Sequence, residues 1–165
     1  MIILGIDPGS TVVGYAVVKT QGKKGKEPEV VDFGCVVADK FFKTEERLLK
    51  INKDITKLIE KHRPDVMSIE TLYFFKNLKT VMPVSQTKGV ILLAAANKKI
   101  PVMEFTPLQV KMAIAGYGRA EKKQVQEMIK KIVCLEKFDL KEKNRKKDDA
   151  FDAIGVAICA CFKAY

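Results

Sequence analysis

The sequence predicts an α/β fold: a mixed five-stranded sheet, three antiparallel strands followed by parallel ones, with helices on both faces. Three observations support it. Short apolar runs separated by turn residues fill the first 37 positions. After Thr44 the apolar spacing changes from about two to about three and a half residues. Beyond Pro64, strand-like and helix-like segments alternate before the chain closes in helices.

Residues 2–6 (IILGI) are a near-continuous apolar run, the pattern of a buried strand. Pro8-Gly9-Ser10 turns the chain, and residues 14–19 (GYAVVK) form a second strand. A Lys- and Gly-rich loop, QGKKGKEPE, leads to a third at 30–37, and connections this short favour an antiparallel meander. Thr44 can cap a helix whose residues Leu48, Ile51, Ile55, Leu58 and Ile59 share one face, with Glu45 and Glu46 suited to its first turn. Pro64 ends it. Residues 66–69 give a fourth strand, which terminates in Glu70 as the first terminates in Asp7.

An aromatic run, TLYFFKN, precedes a helix ending in GVILLAAANKK, with Pro83 near its start or at a kink. Residues 100–105 make the fifth strand. Thr106-Pro107 opens a helix that runs to Gly116, and the loop GYGRA leads to another with Val125, Met128, Ile129 and Ile132 aligned. A polar stretch, EKFDLKEKNRKK, precedes the last helix, which starts near Asp148 and carries Ala150, Ala153, Ile154, Ala157, Ile158 and Cys161 as its apolar stripe.

With 165 residues, 47% apolar and 30% charged, the chain is expected to be one folded domain spanning 1–165. Thirty Lys and Arg against twenty Asp and Glu leave a net charge of +10. That excess favours a polyanionic partner such as nucleic acid or an anionic membrane surface, although Lys-rich surfaces also occur in thermophile proteins. No stretch approaches the ~20 apolar residues of a membrane span, and the start lacks the pattern of a signal peptide. The expectation is a cytoplasmic protein with no membrane partner. Cys35, Cys134, Cys159 and Cys161 show no C-x-x-C spacing and read as core thiols in a reducing compartment. A single histidine, His62, cannot build a His-rich zinc centre and argues against a Ser-His-Asp triad.

The carboxylates carry more information. Asp149 and Asp152 are three apart on the last helix and project from nearly one face, as Asp148 and Asp152 also do. Singly, each acid has an ordinary explanation: a helix N-terminus favours negative charge, and a strand end can be solvated. Two strand ends and one helix face could, however, bring Asp7, Glu70, Asp149 and Asp152 together. Four such carboxylates repel one another unless cations neutralise them. Oxygen-only ligands suit Mg²⁺ or Mn²⁺, and a basic protein with that site fits a two-metal nuclease whose ions lie ~3.5–4 Å apart.

GIDPGSTVVGYAVV at the start, SIETLYFFKN in the middle, PLQVKMAIAGYGRAEKKQVQEMI later and DDAFDAIGVAIC near the end, in this order and spacing, closely resemble the RuvC family of crossover junction endodeoxyribonucleases. The match covers essentially the whole chain. GIDPG alone would fit sugar kinases and actin-like ATPases as a phosphate loop, but those need two related domains. The resemblance implies an RNase H-like fold and a homodimer, each subunit nicking one of two symmetry-related strands of a four-way (Holliday) DNA junction with Mg²⁺, in recombination and repair beside the branch-migration machinery.

By position, Asp7, Glu70, Asp149 and Asp152 match the family's four acids, two ions being expected per site with Mn²⁺ able to substitute. The D-x-x-D-A pattern selects Asp149 over Asp148. Some relatives carry histidine there; here the residue is aspartate, so the resemblance implies an all-carboxylate site. Tyr73, three after Glu70, matches an aromatic that stacks on an unpaired base, with Phe74 and Phe75 as neighbouring alternatives; stacking is worth ~1–3 kcal/mol per base. Lys111 and Lys122 match lysines that contact DNA phosphates. The basic run Lys143, Arg145, Lys146 and Lys147 could also track a backbone. A junction-binding module that does not cut, and an RNase H-like nuclease acting on RNA or another branched substrate, are the rival readings; the complete set of acids argues against the first.

Overall fold

The computed structural model describes residues 1–21, 27–71, 78–140 and 148–163. Its five strands are β1 (Ile2–Asp7), β2 (Val12–Lys19), β3 (Glu29–Val37), β4 (Val66–Glu70) and β5 (Val102–Phe105), in the order β3-β2-β1-β4-β5. β1, β2 and β3 form the expected antiparallel meander, and β4 and β5 add to it in parallel. The helices are α1 (Thr44–His62), α2 (Leu78–Asn97), α3 (Pro107–Ala115), α4 (Lys122–Ile132) and α5 (Asp148–Lys163).

Alternation along the central strand builds a core on each face. Leu4 and Ile6 pack on one side with Ile51, Ile55 and Ile59 of α1 and Ile91, Ala94 and Ala95 of α2. Ile3 packs on the other, with Ala153, Ile154 and Ala157 of α5, Ile114 of α3 and Ile129 of α4. Helices on both faces explain why β1 reads as an apolar run with no polar alternation.

The ends of elements show where local chemistry adjusts the expected boundaries. α1 begins at Thr44 but Lys43, not Thr44, is its cap residue: the Lys43 backbone N–H donates to Glu46 Oε2 at 2.9 Å, so a carboxylate closes the entry in place of a hydroxyl. Arg63 then takes a left-handed conformation (φ 46°) and Pro64 prevents continuation. Thr106 caps α3 as expected, Oγ1 accepting from the Gln109 backbone at 3.2 Å while Gln109 Oε1 accepts from the Thr106 N–H at 2.8 Å. β2 starts two residues before the expected Gly14, at Val12. β5 starts at Val102 rather than Ile100, because the Ile100 N–H is taken by the Ala95 carbonyl at 3.0 Å and Pro101 has none to give. Pro83 lies inside α2, in its second turn. Cys35, Cys159 and Cys161 are buried free thiols, but Cys134 is exposed, since it follows the C-terminus of α4 outside the packed face.

Candidate active site

Asp7 and Glu70 are the last residues of two adjacent parallel strands. The register sets Ile6 against Ile69, which makes the two acids neighbours across a gap of about 4.8 Å between strands. Their side chains share a face by parity. Ile3 and Val66 both lie in the core beneath α5, and the two-residue period of a strand carries that face to Asp7 and to Glu70.

Two glycines bring the last helix onto this face. A Cβ on Gly14, which pairs with Asp7 across β1 and β2, would sit 1.9 Å from the Asp149 carbonyl oxygen; one on Gly5 would sit 2.4 Å from that of Ala153. No side chain fits in either space. α5 therefore lies at backbone contact with β1 and β2, its buried Ala150, Ala153 and Ala157 keeping the approach close, and its first turns deliver Asp149 and Asp152 beside the strand ends.

The electrostatics report one cluster. Asp7 titrates well above the usual carboxylate range, because burial penalises its charge and Glu70, Asp152 and Asp149 repel it. Glu70 is pushed up to about 7, chiefly by burial and then by Asp152; a hydrogen bond with the Asp7 carboxyl and the charges of Lys122 and Lys111 work the other way. Asp152 is raised by burial against the pull of Lys122. The Lys122 ammonium donates to Asp152 Oδ2 at 2.8 Å and lies 3.4 Å from Asp148 Oδ2, and these pairings hold its pKa up despite partial desolvation. Beside the acids opens a cleft of about 240 Å³ lined by Glu70, Lys111, Lys122 and Asp152 over an apolar floor that includes Val110 and Ile129.

Such a set fits a hard divalent cation: the donors are all oxygens, without histidine or thiolate, and their mutual repulsion is what a cation would relieve. Asp7, Glu70, Asp149 and Asp152 are the residues that could hold it. Among the described residues no three of them converge tightly enough to enclose an ion as they stand. The Lys122 ammonium takes one of the Asp152 oxygens.

The structure thus brings together the four expected acids and lines their cleft with Lys111 and Lys122. Tyr73, Phe74 and Phe75 fall in 72–77, and the basic run in 141–147; both lie outside the described residues. Sequence reasoning missed Gln126, whose Nε2 donates to Asp148 Oδ1 at 3.1 Å. Its place one turn after Lys122 on α4 was the available signal.

A mixed sheet of this order, covered on both faces and gathering acids at the carboxyl ends of its two central parallel strands, defines an RNase H-like nuclease. The sequence profile described as "Crossover junction endodeoxyribonuclease RuvC" matches residues 3–160. The chain belongs to the RuvC family, crossover junction endodeoxyribonucleases that resolve Holliday junctions by metal-dependent hydrolysis. It is 47% identical over 159 residues to "Crossover junction endodeoxyribonuclease RuvC" of Ruminiclostridium cellulolyticum, covering 96% of this chain and 90% of that one. The protein of the same description from Halothermothrix orenii is 43% identical over 159 residues, covering 96% and 91%. Among solved structures, "T. thermophilus RuvC in complex with Holliday junction substrate" superposes with a TM-score of 0.88 at 27% identity, over 99% of this chain and 94% of that one. The yeast mitochondrial Holliday junction resolvase Ydc2 shares the fold, with a TM-score of 0.70 at 13% identity over 99% and 80%. No helix among the described residues is long and apolar enough to cross a membrane.

Proposed function

We propose that this chain resolves four-way DNA junctions in the cytoplasm as a single-domain subunit, residues 1–165, of a homodimer, by paired symmetric nicks with two Mg²⁺ or Mn²⁺ ions per site. The observation that carries the proposal is the gathering of Asp7, Glu70, Asp149 and Asp152 at the carboxyl edge of the sheet, where burial and neighbouring carboxylate charge raise the proton affinity of Asp7, Glu70 and Asp152. When bound, divalent ions supply Lewis-acid activation of water and charge stabilisation at the phosphodiester.

The residues have separable tasks. Asp7, flanked by the other three, anchors the ions; Glu70, Asp149 and Asp152 complete their ligand shells. Burial, followed by the charge of Asp152, pushes Glu70 up to about 7, so it would accept a cation more readily as pH rises toward neutral. Lys111 and Lys122 line the same cleft and orient a phosphate over the acids. Tyr73 stacks on an unpaired base near the junction centre, a role that rests on the family resemblance. Phosphate contacts position the DNA, and junction shape supplies most of the selectivity.

The homodimer has support in α2. Met82, Gly89 and Leu93 recur at helical spacing on its outer side; Met82 and Leu93 are 67% and 55% exposed, and nothing stands within 4 Å of a Cβ built on Gly89. A second copy of the same stripe would cover it, and two-fold symmetry then makes the nicks a pair. Branch-migration proteins are the expected functional neighbours.

Incubation of a synthetic four-way junction and a linear duplex with the protein in Mg²⁺ and in EDTA tests the reading. Symmetric, ligatable nicks in the junction alone, abolished by EDTA, are the expected result. Tight binding with no cleavage in Mg²⁺ or Mn²⁺ would contradict it.

A further inference from the structure

Asp148 is the acid that the quartet leaves over. It opens α5, exposed, with both carboxylate oxygens turned to α4: Oδ1 accepts from Gln126 Nε2 at 3.1 Å, and Oδ2 lies 3.4 Å from Lys122 Nζ. The same ammonium donates to Asp152 Oδ2 at 2.8 Å. Lys122 and Gln126 are one turn apart on α4, as Asp148 and Asp152 are on α5, so two short polar rows face each other across the mouth of the cleft. One ammonium therefore has two carboxylate seats, one within the quartet and one outside it.

The two seats differ in what competes for them. Asp152 is one of the acids assigned to the divalent ions, and an ammonium on its Oδ2 occupies an oxygen that a cation would need. Asp148 has no such rival. Gln126 already holds its carboxylate in place, so the outer seat exists before Lys122 needs it.

We propose that Asp148 is a positioning residue for Lys122, holding the ammonium at the cleft mouth when a divalent cation takes Asp152. With a cation on Asp152, Lys122 would keep the outer seat instead of being released to solvent, and its charge would stay beside the place where a phosphate would lie. This inference rests on the metal-dependent nuclease reading above. It predicts opposite signs for the two partners: Lys122 competes with the cation, and Asp148 eases the competition.

The test is Mn²⁺ affinity of the full chain without DNA, measured by electron paramagnetic resonance or calorimetry for wild type, Lys122→Gln, Asp148→Asn and the double variant. Lys122→Gln is expected to tighten Mn²⁺ and Asp148→Asn to weaken it, each by up to about fivefold, the range of an exposed ion pair. In the Lys122→Gln background Asp148→Asn should change nothing, because Asp148 acts through the lysine, and Asp148→Glu alone should restore wild-type affinity. Equal weakening by Asp148→Asn in both backgrounds would make Asp148 a simple charge or a ligand and overturn the proposal. So would a Lys122→Gln variant that binds Mn²⁺ no better than wild type. Wild-type junction cleavage in the same ion reports separately on the nuclease reading, so either can fail alone.

Discussion

Asp7 and Glu70 end adjacent parallel strands on one face of the sheet, and their carboxyl groups are hydrogen-bonded to each other. Two acids held that way cannot both ionise cheaply. Burial, followed by the charge of Asp152, sets the Glu70 pKa near 7 against an ordinary 4.5, and Asp7 is raised with it.

The pH dependence of stability follows. In that raised state the folded chain holds more protons than the unfolded chain between about pH 4.5 and 7, so without divalent ions unfolding becomes easier as pH rises through that window. The loss should be about 1–3 kcal/mol. Thermal unfolding in EDTA at pH 5 and pH 8 measures it: the midpoint should fall toward pH 8, Glu70→Gln should flatten the fall, and Mg²⁺ should raise the midpoint most at pH 8. A midpoint independent of Mg²⁺ at pH 8 would contradict the assignment of these acids as cation ligands.

Gly14 is where the fold admits the site. A methyl group there would meet the Asp149 carbonyl oxygen at 1.9 Å, a backbone atom that cannot turn aside. Gly14→Ala should therefore lift the first turn of α5 off β2, costing about 1–3 kcal/mol and most of the cleavage rate. Chemical denaturation and single-turnover cleavage check the two effects together.

Lys111 lines the cleft with Glu70 and Asp152. As a phosphate ligand, its replacement by Gln should weaken junction binding and reduce the slope of log K against log salt by about one. An unchanged slope would leave Lys111 as a solvated side chain.

For the α2 stripe, Leu93→Lys places a charge on a side chain already 55% exposed, so the subunit should stay folded. If the proposed dimer forms through this stripe, sedimentation should show wild type as dimer and the variant as monomer. Cleavage of junctions should then proceed one strand at a time, leaving singly nicked products.

Much of this was legible in the sequence because strands and helices state their faces in their periods. Ile3 and Asp7 lie an even number of residues apart, as do Val66 and Glu70, so the face that buries the first of each pair carries the acid at the sheet's edge. Asp149 and Asp152 follow by the same logic on a helix. The boundaries that moved were set by hydrogen bonds rather than by hydropathy: Glu46 closing on the Lys43 N–H, and Ala95 taking the Ile100 N–H. The contact of Gly14 with Asp149 spans 135 residues of chain and has no local signature. The seat of Lys122 between α4 and α5 was equally hidden, because it depends on how two helices separated by a polar stretch are set against each other.

The most direct measurement of the central claim compares wild type with Asp7→Asn on one four-way junction, reading dissociation constant and single-turnover cleavage in Mg²⁺. The substitution keeps the side chain's shape and removes the charge that anchors the ions. Cleavage should fall by at least about a hundredfold while junction affinity is kept and thermal stability in EDTA is not reduced. Cleavage within a few-fold of wild type would contradict the assignment of these four carboxylates as the hydrolytic centre.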